Sequence, residues 1–408
     1  MNAPLKHDMG YWGTKTDFAA LMEHVRKIGP VLDQHSGENE SLGRLNEATF
    51  EALKPLRMSH IFAGEQIGGA QLSPTQGLQL IEAITYHSGA AGWVSMVHAC
   101  IGAMSAAFLP DTAVARLFGA GIDNRFSGQG TPTGMLKKVD GGYRLNGKWS
   151  YASGIHHATF THTAALLDDG TGQPAKDENG NVVVLCAHAP VGDHDLLGNW
   201  DVLGLQATGS IDYSAKDVFI PDDMVFPILT AEPQRQKEFF SLGVVGLAAI
   251  GHSGWAIGAS RRMLDEVAKY ALTKTGRAGL LGESDKFWFD YGQAEARVRA
   301  ARAFLFEIWR EVEASIEAGN RVSTRQISVI HLAKSQVHEA GVDACQFVYR
   351  AAGGASLRRG VMQRVYREML TAANHFTINP NIVAAAGREL AGLWNDRVWQ
   401  FYDLVEKK

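Results

Sequence analysis

Trp149-Ser150-Tyr151-Ala152-Ser153-Gly154-Ile155-His156-His157-Ala158-Thr159-Phe160 gathers small hydroxyl residues, aromatic rings and imidazoles in one short run, just after Asn146-Gly147. An Asn-Gly pair between alternating hydrophobic residues marks a tight turn joining two strands. The run reads as a strand able to wall a planar ligand. Aromatic rings supply flat contact area, Ser153 can aim one hydrogen bond at a ring nitrogen, and Gly154 lets the backbone come close. An ordinary amphipathic strand with a crowded turn fits the same residues, so the surrounding chain has to decide.

Upstream, the periodicity is helical. Phe18, Leu21, Met22, Val25, Ile28 and Leu32 recur at helical spacing from Asp17 to about Asp33, with Gly29-Pro30 disturbing the last turn. Asn46 is the expected N-cap of a short helix. Ser73-Pro74-Thr75-Gln76 combines an N-cap, a proline at the first helical position and a capping-box glutamine, which predicts a helix to about His87. Residues 90–109 are apolar on every side, so that helix should be buried on every side, with His98 inside it. Taken from the residues alone, His98 is a core histidine bonded to a backbone carbonyl.

From about Gly119 to Pro227 the texture changes to alternation, turns and glycine. Its landmarks are Ser127-Gly128-Gln129-Gly130-Thr131-Pro132, the Asn146-Gly147 hairpin, and a strand pair over Thr161–Leu167 and Val182–His188. Short strands with turn chemistry between them predict a small antiparallel barrel or sandwich. After Pro233 the chain is helical again. Leu242–Leu272 and Lys286–Ala318 are each about 30 residues, roughly 45 Å if straight. Ser284 caps the second, and Ser323 to Gln326 forms a capping box for a third helix reaching Ala352. These long faces predict a bundle suited to self-association.

Composition narrows the class. The 408 residues are 46% hydrophobic and 20% charged with a formal net charge of -4, the profile of a globular chain of two or three packed parts with no basic footprint for nucleic acid. Cys100, Cys186 and Cys345 are few and far apart, which fits a reducing cytoplasm and no disulfide framework. No signal peptide is legible, and no segment reaches ~18 uninterrupted apolar residues, so no membrane association is expected. His156, His157 and His162 match no common zinc spacing, and no metal is expected.

Helices, then short strands, then a long-helix bundle resembles the acyl-CoA dehydrogenase fold superfamily over nearly the whole chain. Three motifs in family order carry the resemblance: the opening run with its Ala-Ser-Gly element, Leu203-Gly204-Leu205-Gln206-Ala207-Thr208-Gly209-Ser210, and Ala352-Gly353-Gly354-Ala355 followed by Gln363-Arg364-Val365-Tyr366-Arg367-Glu368 and His375. Within the superfamily the chain is similar to the two-component flavin-dependent monooxygenases. These include the 4-hydroxyphenylacetate, hydroxylated-steroid and dibenzothiophene monooxygenases and the indole oxygenases.

The resemblance implies an α+β chain, with an N-terminal helical domain over residues 1–119, a central β-barrel over 120–232 and a C-terminal helical bundle over 233–408. It implies an oxygenase component that takes reduced FAD, or FMN, from a separate NAD(P)H flavin reductase. With O2 it would oxygenate a small, possibly indole-like aromatic or heteroaromatic substrate through a C4a-hydroperoxide, as a homotetramer.

Ser153 would meet the flavin N5 edge, with Gln129, Gly130, Thr131, Trp149 and Tyr151 lining the ring. Arg277 would contact phosphate, and Gly353 and Gly354 would approach a neighbouring subunit's nucleotide. His375, at a helix end whose dipole favours its protonated form, would act on the peroxide; His98 and Ser127 would contact substrate. The segment 374–380 has no clear counterpart of the dehydrogenases' glutamate base, and Glu368 replaces the aspartate often seen in the arginine-rich motif. The alternatives are an acyl-CoA dehydrogenase using FAD and a non-catalytic flavin or ligand-binding module.

Overall fold

A computed structural model describes residues 17–119, 122–276 and 279–406. Five helices come first: α1 (Phe18–Leu42), α2 (Glu47–Leu53), α3 (Pro74–His87), α4 (Gly89–Phe108) and α5 (Asp111–Phe118). The N-caps at Asn46 and Ser73 form as their side chains require, Asn46 accepting from Thr49 N and Ser73 closing a full capping box with Gln76. By contrast, α1 does not end near Asp33. It runs through Pro30, because Leu32, Ser36 and Asn39 continue its buried face, and stops at Gly43 in the left-handed region with φ 64°. Helix α4 is long and apolar enough to cross a membrane, but 89% of its most apolar window is covered by protein. Its apolarity serves the core.

Seven strands follow: β1 (Phe126–Val139), β2 (Gly142–Ala152), β3 (Phe160–Leu167), β4 (Val184–Pro190), β5 (Asp195–Leu196), β6 (Ile211–Pro221) and β7 (Val225–Pro227). They form one sheet in the order β5-β6-β2-β1-β3-β4-β7. Every pair is antiparallel except β1 with β3. The ladder ends on two very short strands, and among the described residues no pairing joins β5 to β7, so the sheet does not close into the expected antiparallel barrel.

The Asn146-Gly147 hairpin is also corrected. The chain turns at Asp140-Gly141, where Gly141 has φ 70°, and Asn146-Gly147 lies inside β2. There the register against β6 shifts, and Asn146 Oδ1 accepts from Asp217 N at 2.9 Å. The pair makes a bulge, which glycine permits as readily as a turn. The opening run is likewise not one strand. It leaves β2 at Ala152, turns at Ser153-Gly154 and rejoins the sheet at Phe160.

Beyond the sheet come α6 (Lys237–Phe240), α7 (Gly243–Ala271), the short strands β8 (Thr275–Gly276) and β9 (Gly279–Leu280), α8 (Asp285–Glu317), α9 (Thr324–Ala352), α10 (Gly354–Leu357), α11 (Val361–Ala373) and α12 (Pro380–Leu390). Helix α7 is the hub, packing on α3, α4, α9 and α11. A Cβ at Gly258 would sit 2.4 Å from Glu82 O of α3, so glycine lets the two backbones meet. A hairpin that the periodicity did not signal, β10 (Arg397–Gln400) with β11 (Asp403–Glu406), closes the chain. Trp399 Nε1–H donates to Ser328 Oγ on α9 at 2.9 Å, and the hairpin tip carries Phe401 and Tyr402 towards β1.

Candidate active site

A cavity of about 690 Å³ opens where α4, α7 and the end of α11 meet β1, β2 and the loop before β6. One wall is a chain of hydroxyls. Ser153 and Ser210 are 2.6 Å apart, Ser210 and Thr208 are 2.6 Å apart, and Thr208 donates to Leu205 O at 2.7 Å. Trp93 Nε1–H donates to Ser153 Oγ at 3.2 Å. With the Thr208 proton on Leu205 O, Ser210 donates to Thr208 and Ser153 donates to Ser210, so Ser153, which already accepts from Trp93, offers the cavity its remaining oxygen lone pair.

The turn that presents Ser153 is held from behind by two residues expected to touch substrate. Ser127 donates to Ser153 O at 2.8 Å, and His98 Nε2–H donates to Gly154 O at 3.2 Å. Neither lines the cavity. Burial pushes His98 down to about 3, so it is a neutral core imidazole on a carbonyl, as its residue context alone suggested. A Cβ on Gly154, whose φ is 73°, would lie 2.8 Å from His98 Nε2, which is why glycine stands there.

Of the residues expected around the cofactor, Ser153, Gln129, Gly130, Thr131 and Tyr151 line the cavity. Gln129 spends its amide on Ser150 O (3.0 Å) and accepts from Thr131 N (3.2 Å), which stiffens the β1 edge. Trp149 points the other way. It is 1% exposed, stacks on Tyr213 and donates to Ala164 O at 2.8 Å; regular alternation would put Tyr151 on the same face, but the register against β6 shifts between Trp149 and Ala152 and Tyr151 adopts φ 67°, which parts the two rings. Gly353 and Gly354 are exposed at the end of α9 and do not line the cavity. Arg277 lies outside the described residues.

His375 lines the cavity, in a setting other than the expected one. It is the N-cap of the 3-10 turn Phe376–Ile378, and its Nδ1 accepts from Thr377 N at 3.4 Å with Thr377 Oγ1 3.0 Å away. That puts the ring proton on Nε2. Burial first, then the charges of Lys334 and His338, push it down to about 3. The α11 dipole does not prevail, because desolvation is larger and the ring caps the positive end of the next turn. His375 is therefore a neutral donor.

Two buried titratable groups at or near the cavity escaped the sequence reading. His252 on α7 lines the cavity, its ring 4.5 Å from that of His375 and 5.1 Å from that of Trp93. Its Nδ1 is buried without a hydrogen-bond partner, and burial holds it well below the usual histidine range. Lys334 on α9 is 2% exposed, pushed down to about 7 by burial, and bonded to His331 Nδ1 at 3.2 Å. Both had a signal: His252 is a lone imidazole in a run of small and apolar residues, and Lys334 falls on the helical face of Ile327, Ile330 and Val337.

Off the cavity lining, His162, Cys186 and His188 share one face of the β3–β4 pair, with ligand-type atoms within 4.8 Å of one another. His188 Nδ1–H donates to Met224 O at 3.2 Å, so its Nε2 accepts, with His162 Nδ1 at 3.1 Å as a donor; Ser105 Oγ, whose proton goes to Ile101 O at 2.9 Å, lies 2.9 Å from the same nitrogen.

Residues 250–380 match the acyl-CoA dehydrogenase C-terminal domain family. XiaF from Streptomyces sp., solved in complex with FADH2 and glycerol, superposes with a TM-score of 0.85 at 20% identity, covering 95% of this chain and 98% of that one. The chain is 26% identical to the flavin-dependent monooxygenase oxygenase subunit HsaA of Rhodococcus jostii, over 88% of its own length and 94% of the relative's. The chain thus shares the fold of XiaF and is similar in sequence to oxygenase components of flavin-dependent monooxygenases. It is also similar to the indole-3-acetate monooxygenase of Pseudomonas putida, 27% identical over 80% of each chain. The Ser153 turn and the Thr208–Ser210 segment form one wall of the cavity and His375 stands on its lining, while Gly353 and Gly354 of the third motif lie away from it.

Proposed function

We infer that the chain is the oxygenase component of a two-component flavin-dependent monooxygenase. It takes reduced flavin, FAD with FMN as the alternative, from a separate NAD(P)H reductase and acts on an aromatic or heteroaromatic substrate. The balance is substrate-H plus O2 plus reduced flavin, giving substrate-OH, oxidised flavin and water. The observation that carries the reading is the meeting of the Ser153 hydroxyl wall with the neutral Nε2–H of His375 in one cavity. The fold neighbour XiaF, solved with FADH2, and the oxygenase subunit HsaA support it.

The polar set fits a reduced flavin. Ser153 can accept from a ring N–H with its free lone pair, and Tyr151 and Trp200 supply flat surface at the same wall. When bound, the flavin supplies the two electrons that activate O2. The protein's part is to hold the ring edge at Ser153, exclude water with Trp93 and the Phe401-Tyr402 tip, and offer the His375 Nε2 proton to a developing oxyanion. Among the described residues no carboxylate lines the cavity to serve as a dehydrogenase's base, which favours oxygenation over acyl-CoA dehydrogenation. A homotetrameric cytoplasmic enzyme is part of the same reading. The exposed Trp288 and Phe289 of α8 and Leu357 beside Gly353 and Gly354 are apolar surfaces such an assembly would cover.

The test mixes the protein with chemically reduced flavin without oxygen, then adds isotopically labelled O2 and a panel of indoles, phenols and thiophenes. One labelled oxygen atom in an organic product is expected. Hydrogen peroxide alone, whatever substrate is offered, would leave a flavin-binding module; bleaching of bound oxidised FAD by a thioester would make it a dehydrogenase.

A further inference from the structure

The cavity has an apolar end. Helix α4 presents Met96, Val97, Cys100 and Ile101 on one face, Val244 and Ala248 of α7 oppose them, and Ile228 and Leu229 close the side. Among the described residues no lysine, arginine, aspartate or glutamate lines any part of the cavity. The polar groups that do reach it are uncharged. Asn374 Nδ2 is committed to Leu370 O, and Gln129 to Ser150 O. Burial pushes the Cys100 thiol up to about 12, and burial raises the Tyr402 hydroxyl as well. Both imidazoles are held neutral.

We infer that the substrate is an uncharged, mainly apolar aromatic compound, and that a lining without a cation among the described residues selects against carboxylate-bearing aromatics. The inference rests on the oxygenase reading and narrows it. A carboxylate carried into this chamber would lose its water and meet no guanidinium or ammonium, and an unpaired buried charge is among the costliest arrangements in a protein. Lys334 does not relieve it. Its Nζ is bonded to His331 Nδ1, stands 5.5 Å from the centroid of the Tyr402 ring and is not on the lining. Tyr402 and His375 can each give one neutral hydrogen bond, enough to orient a phenol OH, a ring NH or a carbonyl. Indole-3-acetate, which the similar Pseudomonas putida enzyme is named for, is therefore a poor ligand here, while the same ring without its charge fits.

The experiment uses one ring system in two charge states: indole-3-acetate and its methyl ester, with indole as the small neutral reference. Binding is read from quenching of tryptophan fluorescence, since Trp93 and Trp200 line the cavity; turnover is read from product formed per reduced flavin. The ester and indole should bind, and the acid should bind about 100-fold more weakly and yield correspondingly less product. Acid binding as tight as the ester, or tighter, overturns the inference even when oxygenation proceeds. If the ester binds selectively but no ligand is oxygenated, the inference stands and the oxygenase reading falls. Failure of all three to bind overturns the inference. An Ile101→Arg variant should recover acid binding, and Val244→Arg, on the opposite helix, is the second variant should the first fail to fold.

Discussion

His252 on α7 and His375 after α11 face each other with ring centroids 4.5 Å apart, and both rings lie against Trp93. One imidazole presents an unpartnered nitrogen and the other an Nε2 proton fixed by its Thr377 cap. Neutral rings this close can sit together without repulsion, and that is what burial enforces. His375→Ala should lose about tenfold to a hundredfold in product per reduced flavin, with the difference appearing as hydrogen peroxide, while flavin affinity stays within about twofold. Measuring product and peroxide together checks this, and an unchanged product yield would remove His375 from the chemistry.

Because the Nδ1 of His375 accepts a backbone hydrogen bond and its pKa is held at about 3, the coupled yield should show no inflection from this residue between pH 5.5 and 8, a window assigned from that shift. A pH profile of product yield with an imidazole-type step that vanishes in His375→Gln would contradict it.

Ser127 and His98 hold consecutive carbonyls of the Ser153-Gly154 turn. Ser127→Ala and His98→Ala should each cost about 1–3 kcal/mol of stability by stranding a buried carbonyl, and should weaken reduced-flavin binding and product formation in proportion. Ser153→Ala should weaken reduced flavin by about tenfold through the lost hydroxyl. Urea unfolding and flavin titration separate the cases. Full stability with abolished product in His98→Ala would return that histidine to the substrate.

The buried neutral histidines make the fold acid-labile. His98 and His375 are held at about 3, and His188 and His338 at about 4, by burial, against an ordinary value of 6.5. Their folded values are depressed, so the unfolded chain binds more protons between 6.5 and about 3. Stability is then fully present above 6.5 and is lost as pH falls through that window, by up to about 1.4 kcal/mol per pH unit for each group. Glu368, raised to about 7 by burial, works in the opposite sense and offsets part of the loss. The urea midpoint should drop from pH 7 to pH 5; a flat midpoint would mean that these rings are hydrated.

Lys334 is depressed from 10.5 to about 7, so below pH 7 the folded protein carries a buried ammonium that meets, among the described residues, the neutral His331 and the Tyr402 ring and no carboxylate. Lys334→Met, close in volume, should stabilise the protein by about 1–3 kcal/mol at pH 6, and the gain should shrink as pH rises from 7 towards 10.5. Destabilisation at pH 6 would show that the ammonium is solvated or paired in the assembled enzyme.

Much of this was legible in the chain. Capping residues are local, so Asn46, Ser73, Ser284 and Ser323 began the helices they were expected to begin. Long helical periodicity marked α7, α8 and α9, and the family motifs picked out Ser153 and His375, both of which line the cavity. What periodicity could not say is which face a residue takes once two elements pack. Trp149 and Tyr151, two residues apart, parted because the strand breaks register against β6 after Trp149 and Tyr151 takes φ 67°, and Asn146-Gly147 became a bulge because β6, distant in sequence, runs alongside it. His252 and Lys334 entered the site's surroundings only through the packing of α7 against α4 and α9.

The same division holds for charge. The residue types of the site, and the fact that His98 is buried, follow from sequence because burial tracks an apolar run. The protonation of His375, the shielding of Ser127 and His98 behind the turn, and a chamber with no cation on its lining among the described residues follow from desolvation and neighbours. Those are properties of a three-dimensional environment, and only the tertiary structure decided them.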